Sequence, residues 1–365
     1  MSTLRQILGH PDPVIAEVLE TWTPRFLRGG TSVGDLVSTV DRMETWDDWV
    51  VEWTITAGVH ETLAKHAESD GRRLAATAAW MDAFRCHHLA YFVSTRDLEL
   101  HNRGLANMLR CHDNALPYLE PAVEKVEIPG VEGASRMVGL LSLPKGVDVA
   151  PVVIVLPGLD STKETRHQSR GGWLRRGIAV LSVDGPGQGE SSQWSTIRPD
   201  YEVAISGVID WIETRADLDA SRVGVFGTSL AGYYAPRAAA FEPRIVAAYG
   251  NCGPYDWGEC FDALPQVTKE AYAHYSGAKS MTEARELADQ LSLDGVASKI
   301  SCPLLIVHGS DDPLIPWEQG KRIADEGGGQ FMLIEGGTHG VQNMPHLFQS
   351  YALDWMTRYL GGAVS

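Results

Sequence analysis

Three short stretches of this chain carry residue types that act together in acyl transfer. Gly227-Thr228-Ser229-Leu230-Ala231 places a serine among small residues, after one apolar run and before an alanine-rich one. A serine hydroxyl is a poor nucleophile near neutral pH. It needs a base within hydrogen-bond reach, and the base needs an orienting carboxylate. Gly336-Gly337-Thr338-His339-Gly340 offers the base, because a histidine among glycines suits a poised loop better than a packed core. His308-Gly309-Ser310-Asp311-Asp312-Pro313-Leu314-Ile315-Pro316 offers the acid. Asp312, three residues before Ile315, is the choice, with Asp311 beside it as the alternative; His308 reads as a structural neighbour. The tetrahedral intermediate of such a reaction needs two donors for its oxyanion. The backbone N–H of Leu230 follows the nucleophile and supplies one. Pro157-Gly158-Leu159-Asp160-Ser161 supplies the other through Leu159 N–H, with Gly158 allowing a close approach.

The elements that must position these residues can be read from the same sequence. Val152–Leu156 is a continuous apolar run ending at Pro157-Gly158, as expected for a strand buried on both faces of a parallel sheet. Further strands are expected at 126–128, 137–143, 178–183, 223–226, 245–249, 304–307 and 331–334. The first two should pair around Pro129-Gly130. Helices are expected at 203–213, 230–240 and 347–360. Strands alternating with helices imply a doubly wound, mostly parallel α/β sheet whose site lies at the carboxyl ends of its strands. A nucleophile at a strand-to-helix turn, then an acid, then a histidine, in that chain order, is the α/β-hydrolase arrangement, and its H-G-x-x-D-x-x-[VI]-P pattern selects Asp312. Ala231 stands where the usual elbow has glycine. Residues 254–298 break the alternation and read as a helical lid insertion. Residues 1–124 read as a helical domain over the active site, with 125–365 as the catalytic domain. Ile15, Val18, Leu19 and Trp22 follow helical spacing, as do Trp46, Trp49, Val50 and Trp53. These tryptophans read as helix–helix core.

Bulk properties exclude several classes. The net charge of −16 leaves no basic footprint for nucleic acid, and anionic membrane surfaces would repel the chain. Five cysteines, none in C-x-x-C spacing, argue against a disulfide framework or zinc site and fit a reducing cytoplasm. The first 25 residues hold no apolar stretch of signal-peptide length, and no run is long enough to span a bilayer. Gly185-Pro186-Gly187-Gln188-Gly189 lacks the lysine and spacing of a phosphate loop and reads as a turn. His87 and His88 read as domain-interface residues rather than metal ligands. No metal or organic cofactor is expected.

These motifs resemble the FrsA-like α/β-hydrolases, the family that includes 2,6-dihydroxypseudooxynicotine hydrolase and fungal polyketide-shortening enzymes. The resemblance rests on Trp46-x-x-Trp49-x-x-x-Trp53, His88–Phe92, Pro157–Glu164 and Asp184–Ser191, and covers nearly the whole chain. It implies a triad of Ser229, Asp312 and His339. Some family members cleave a carbon–carbon bond beside a ketone and others are esterases, so the resemblance does not fix the substrate. The leading expectation is hydrolysis of such a carbon–carbon bond in an aromatic or polyketide-like small molecule. Carboxylester or thioester hydrolysis is the first alternative. A lyase or cyclase, or a regulatory binding protein, are the others. A carbon leaving group is poor, so an extra polar group should help; Asp256 and Glu259 are candidates. Tyr233, Trp257 and His88 are candidate pocket residues, and a homodimer is left open.

Overall fold

The computed structural model describes residues 2–362, so the outermost ends of both expected domains lie outside it. The chain forms two compact units: Met1–Val123 with Pro265–Ala271, and Glu124–Leu264 with Tyr272–Ser365.

The first unit is helical: α1 (Leu4–Leu8), α2 (Pro13–Arg28), α3 (Val33–Val40), α4 (Trp49–Ser69), α5 (Arg73–Tyr91) and α6 (Leu98–Ala115). Helix α2 begins where Asp12 accepts from the Val14 and Ile15 N–H groups and Pro13 fills the first position. Its Ile15, Val18, Leu19 and Trp22 are all buried, one stripe at helical spacing. Trp46 precedes α4 in a 3₁₀ turn rather than lying on it. It stacks on Trp49 at 4.9 Å, and Trp49 Nε1 donates to Leu89 O at 2.7 Å. These tryptophans build the interior of the helical unit. His87 is also internal: its Nε2 lies 2.8 Å from Glu61, which Arg110 grips at 2.7 Å.

The second unit is an eight-stranded sheet ordered β1-β2-β4-β3-β5-β6-β7-β8. The strands are β1 (Glu124–Val131), β2 (Ala134–Ser142), β3 (Ala150–Leu156), β4 (Ala179–Asp184), β5 (Leu218–Thr228), β6 (Ile245–Asn251), β7 (Leu304–Gly309) and β8 (Gln330–Ile334). β2 runs antiparallel to β1 and β4; every other pairing is parallel. This is the α/β-hydrolase fold. The expected Pro129-Gly130 turn is a correction. Both residues lie inside β1, at the sheet edge where proline removes no needed donor, and the chain turns at Glu132-Gly133, with Gly133 at φ +81°.

Between strands run α7 (Lys163–His167), α8 (Gly171–Leu174), α9 (Glu202–Glu213), α10 (Ala231–Phe241), α11 (Trp257–Phe261), α12 (Gln266–Ser276), α13 (Met281–Ala288) and α14 (Trp317–Glu326), and α15 (Gln349–Leu360) closes the chain. Val153, Val155, Val180 and Val307 pack with Trp173, Met356 and Leu360 in one core against the sheet. The expected lid contains α11, α12 and α13, but it does not stay with one unit: Pro265–Ala271 groups with the helical unit. No helix among the described residues is long and apolar enough to cross a membrane.

Candidate active site

Ser229 sits between the end of β5 and the start of α10 with φ +62°. A side-chain-bearing residue rarely adopts that left-handed conformation, so the turn is strained. Its own N–H donates to Asn251 O at 2.9 Å, and its carbonyl accepts from Gly232 N–H at 2.6 Å. The glycines around it explain the departure at Ala231. A Cβ at Gly227 would collide with Ala231 O, and a Cβ at Gly232 would stand 2.5 Å from Gly253 Cα. The closest backbone approach therefore falls at 227 and 232, and position 231 tolerates a methyl.

Asp312 follows β7, and its side chain is fully buried. Its Oδ1 accepts from the Leu314 and Ile315 N–H groups at 2.9 and 3.1 Å. Both carboxylate oxygens face His339 Nδ1, at 3.0 and 2.8 Å. His308 Nε2 lies 3.5 Å from Oδ2 and donates to Ile315 O at 3.0 Å. Burial pushes the Asp312 carboxyl up, but His339 and His308 together hold it well below its ordinary range, so it is ionised. Asp311 points elsewhere, accepting from Ser310 Oγ at 2.7 Å. His339 leads a 3₁₀ turn after β8, and Asn251 Nδ2 ties that turn to the end of β6 through Gly340 O at 3.0 Å. Among the described residues, Val93, Ser229, Cys252 and Val341 are the non-glycine residues with positive φ. Three of those four flank this site, which is where strained backbone collects. No hydrogen bond joins Ser229 Oγ to His339 among the described residues; such bonds are often loose without substrate.

Gly158 closes the arrangement. A Cβ there would lie 2.9 Å from Thr228 O and 3.1 Å from Ser229 Cβ, so the Pro157–Ser161 loop lies directly against the serine. Leu159 and Leu230 are both buried.

A family model described as "Esterase FrsA-like" matches residues 31–357. The chain belongs to the FrsA-like esterase family. In sequence, this FrsA-like protein is 34% identical over 293 residues to 2,6-dihydropseudooxynicotine hydrolase of Paenarthrobacter nicotinovorans, covering 79% of this chain and 77% of that protein. It is 29% identical over 331 residues to 20-hydroxy-prefusarin hydrolase of Gibberella moniliformis, covering 77% and 78%. The crystal structure of 2,6-dihydroxy-pseudo-oxynicotine hydrolase superposes with a TM-score of 0.83 at 31% identity, covering 92% of this chain and 95% of that one. The protein is a hydrolase of the α/β-hydrolase fold.

The candidate pocket residues fare differently. Asp256 caps α11 by accepting from Glu259 N–H at 3.0 Å, and Glu259 is exposed and held by Gln319 Nε2 at 2.7 Å. The two acids named as candidates to assist the leaving group thus make a helix cap and a surface contact. Tyr233 is buried, with its hydroxyl donating to Pro199 O at 2.8 Å. Trp257 is buried against Tyr272 at 5.8 Å. His88 lies in the helical unit among Phe84, Tyr91 and Phe92.

Sequence reasoning missed a buried ionic cluster beside the Pro157–Ser161 loop. Lys163 Nζ contacts Glu164 at 2.7 Å, Asp184 at 3.0 Å and Glu190 at 2.8 Å. Lys125 Nζ also reaches Glu190, at 3.5 Å, so two cations meet three carboxylates. Burial raises the Asp184 carboxyl, with Lys163 opposing and Glu164 adding to the rise. The signal was present in Lys163-Glu164 and Asp184–Glu190, but nothing in their spacing paired them.

Three residue sets lie close enough to hold an ion: Asp35/His60/Cys86, Glu61/His87/Cys111 and Cys252/His308/Asp312. Burial pushes each thiol up, Cys111 to about 12. In the second set Arg110 already occupies Glu61.

Proposed function

We propose that this hydrolase cleaves a carbon–carbon bond beside a ketone in an aromatic or polyketide-like small molecule. Ser229 is the nucleophile, His339 the base, Asp312 the orienting acid, and Leu159 and Leu230 N–H the oxyanion donors. The observation that carries the reading is the Asp312 carboxylate. It is buried, held by two backbone donors and aimed with both oxygens at His339 Nδ1. That contact places the His339 proton on Nδ1 and leaves Nε2 free to accept one.

Ser229 Oγ attacks the ketone carbon as His339 Nε2 takes the hydroxyl proton. The carbonyl oxygen becomes an oxyanion in the field of the two N–H groups. Collapse breaks the adjacent carbon–carbon bond, and His339 returns its proton to the departing carbanion. Water, deprotonated by His339, then attacks the acyl-serine. His339 returns that proton to the departing Ser229 Oγ, which releases a carboxylic acid and restores the serine. The balance is ketone plus water giving acid plus the protonated leaving group. Relatives named for 2,6-dihydropseudooxynicotine and 20-hydroxy-prefusarin support this substrate class. Ester hydrolysis by the same steps is the second reading, favoured by the family's description and by 26% identity to Esterase FrsA of Klebsiella pneumoniae over 287 residues.

The test compares kcat/KM on a panel of aryl β-diketones and p-nitrophenyl esters, in ¹⁸O-labelled water. Diketone cleavage with ¹⁸O in the acid supports the first reading. Efficient ester turnover without diketone cleavage rejects it. Labelling by a fluorophosphonate should disappear in Ser229→Ala; labelling that persists would place the nucleophile elsewhere.

A further inference from the structure

The glycine-rich loop after β4 does more than turn the chain. Gln188, inside that loop, is 1% exposed, and its carboxamide is fully engaged. Its Nε2 donates to Pro157 O, and to Gly158 O at 3.4 Å. Its Oε1 accepts from Tyr201 OH, and from Gly185 N–H at 3.3 Å. A primary amide offers two donor hydrogens and two acceptor lone pairs, and all four point at partners here. The partners fix which way the amide faces. Tyr201 and Gly185 bring hydrogens, so the oxygen must face them; Pro157 and Gly158 bring carbonyls, so the nitrogen must face those.

The consequence falls on the loop against Ser229. A trans peptide points its C=O and N–H in opposite directions. Holding the Pro157 and Gly158 carbonyls on Gln188 turns the Gly158 and Leu159 N–H groups away from it. Successive N–H groups turned to one side form an anion-binding concavity. The same stretch of backbone packs against Thr228 O and Ser229 Cβ at Gly158. Tyr201 is itself held: it is fully buried, stacked on Tyr234 at 3.8 Å and 10°, and Gly185 leaves no room beside its hydroxyl.

We propose that Gln188, oriented by Tyr201, is a positioning residue that clamps the Pro157 and Gly158 carbonyls and so aims Leu159 N–H at the developing oxyanion. The proposal rests on the reading of Leu159 N–H as an oxyanion donor. It assigns the loop from one strand to the task of shaping the loop from its neighbour.

The test uses Gln188→Glu, which keeps the shape but sets an oxygen against two carbonyl oxygens, and Tyr201→Phe, which removes one hydroxyl. Each is assayed for kcat and KM on the best substrate of the panel, for Ki of an aryl trifluoromethyl ketone, for end-point fluorophosphonate stoichiometry and for melting temperature. The trifluoromethyl ketone forms a tetrahedral adduct and so reports the oxyanion site, whereas KM reports ground-state binding. In Gln188→Glu, kcat should fall by ~10- to 100-fold and the trifluoromethyl ketone Ki should rise by a similar factor, with KM changed by less than about threefold. One label per chain should remain, and Tyr201→Phe should fall between this variant and the parent. Should Gln188→Glu not fold, Tyr201→Phe alone decides, by the same split between Ki and KM. A lower melting temperature or labelled fraction, with kcat per labelled serine and Ki unchanged, would overturn the proposal and leave Gln188 a structural peg. Labelling that survives Ser229→Ala would instead overturn the nucleophile assignment, which Gln188 does not affect.

Discussion

Replacing Asp312 with asparagine isolates the orienting role from the structural one. Oδ1 accepts two backbone N–H groups, from Leu314 and Ile315. Asparagine must keep its oxygen there, because an NH₂ group would face two donors. Its NH₂ then takes the Oδ2 position, 2.8 Å from His339 Nδ1. An N–H donor at that point makes Nδ1 the acceptor and moves the imidazole proton to Nε2, the atom that must accept the serine proton. The fold is spared and the tautomer is wrong. The expected loss in kcat is about 10⁴-fold, as for the equivalent change in other Ser-His-Asp enzymes. At 1.36 kcal/mol per tenfold, that is roughly 5.5 kcal/mol of barrier. Asp312→Ala should be less stable than Asp312→Asn, because it strands two buried N–H groups at ~1–3 kcal/mol each. The assay is kcat on the best substrate with melting temperature in parallel. A loss below tenfold in a folded Asp312→Asn variant would refute the orienting role. A larger loss in Asp311→Asn would transfer that role to Asp311.

Ser229→Gly should be more stable than Ser229→Ala by ~1 kcal/mol in urea unfolding, because φ +62° is strained for alanine and free for glycine; equal stability would show that the elbow stores no strain. Burial opposes ionisation of Glu61, but Arg110 and His87 outweigh it and lower its carboxyl to about 2. A depressed folded value gives stability that is full above the unfolded value near ~4.3 and is lost as pH falls toward 2. The stability advantage of the parent over Glu61→Gln should therefore be flat above about pH 5 and vanish between about pH 4 and 2; an advantage unchanged across that window would refute the Glu61 assignment.

Much of the catalytic unit was legible because its signals are local. A strand buried on both faces must be apolar throughout, so Val152–Leu156 announces itself. Strand ends where backbones crowd together or adopt a positive φ need glycine, so Gly158, Gly227 and Gly309, by close approach, and Gly336, at φ +71°, mark the carboxyl edge. Serine, acid and histidine follow three of those ends in chain order. Pro129-Gly130 misled because turn residues are also tolerated at a sheet edge, and nothing local says that β1 is that edge.

What stayed illegible depends on contacts between distant residues. Gln188 reaches carbonyls 31 and 30 positions back and Lys163 an aspartate 21 positions ahead. Both contacts exist because the sheet sets β4 beside β3, so the loops leaving those two strands emerge side by side. Glu259 is taken by Gln319, 60 residues on, which its position at the start of α11 could not foretell. Residue type states what a side chain can donate or accept, and periodicity states which face it is on. Which partner it meets is set by strand order and by the packing of loops, and only the folded chain contains that.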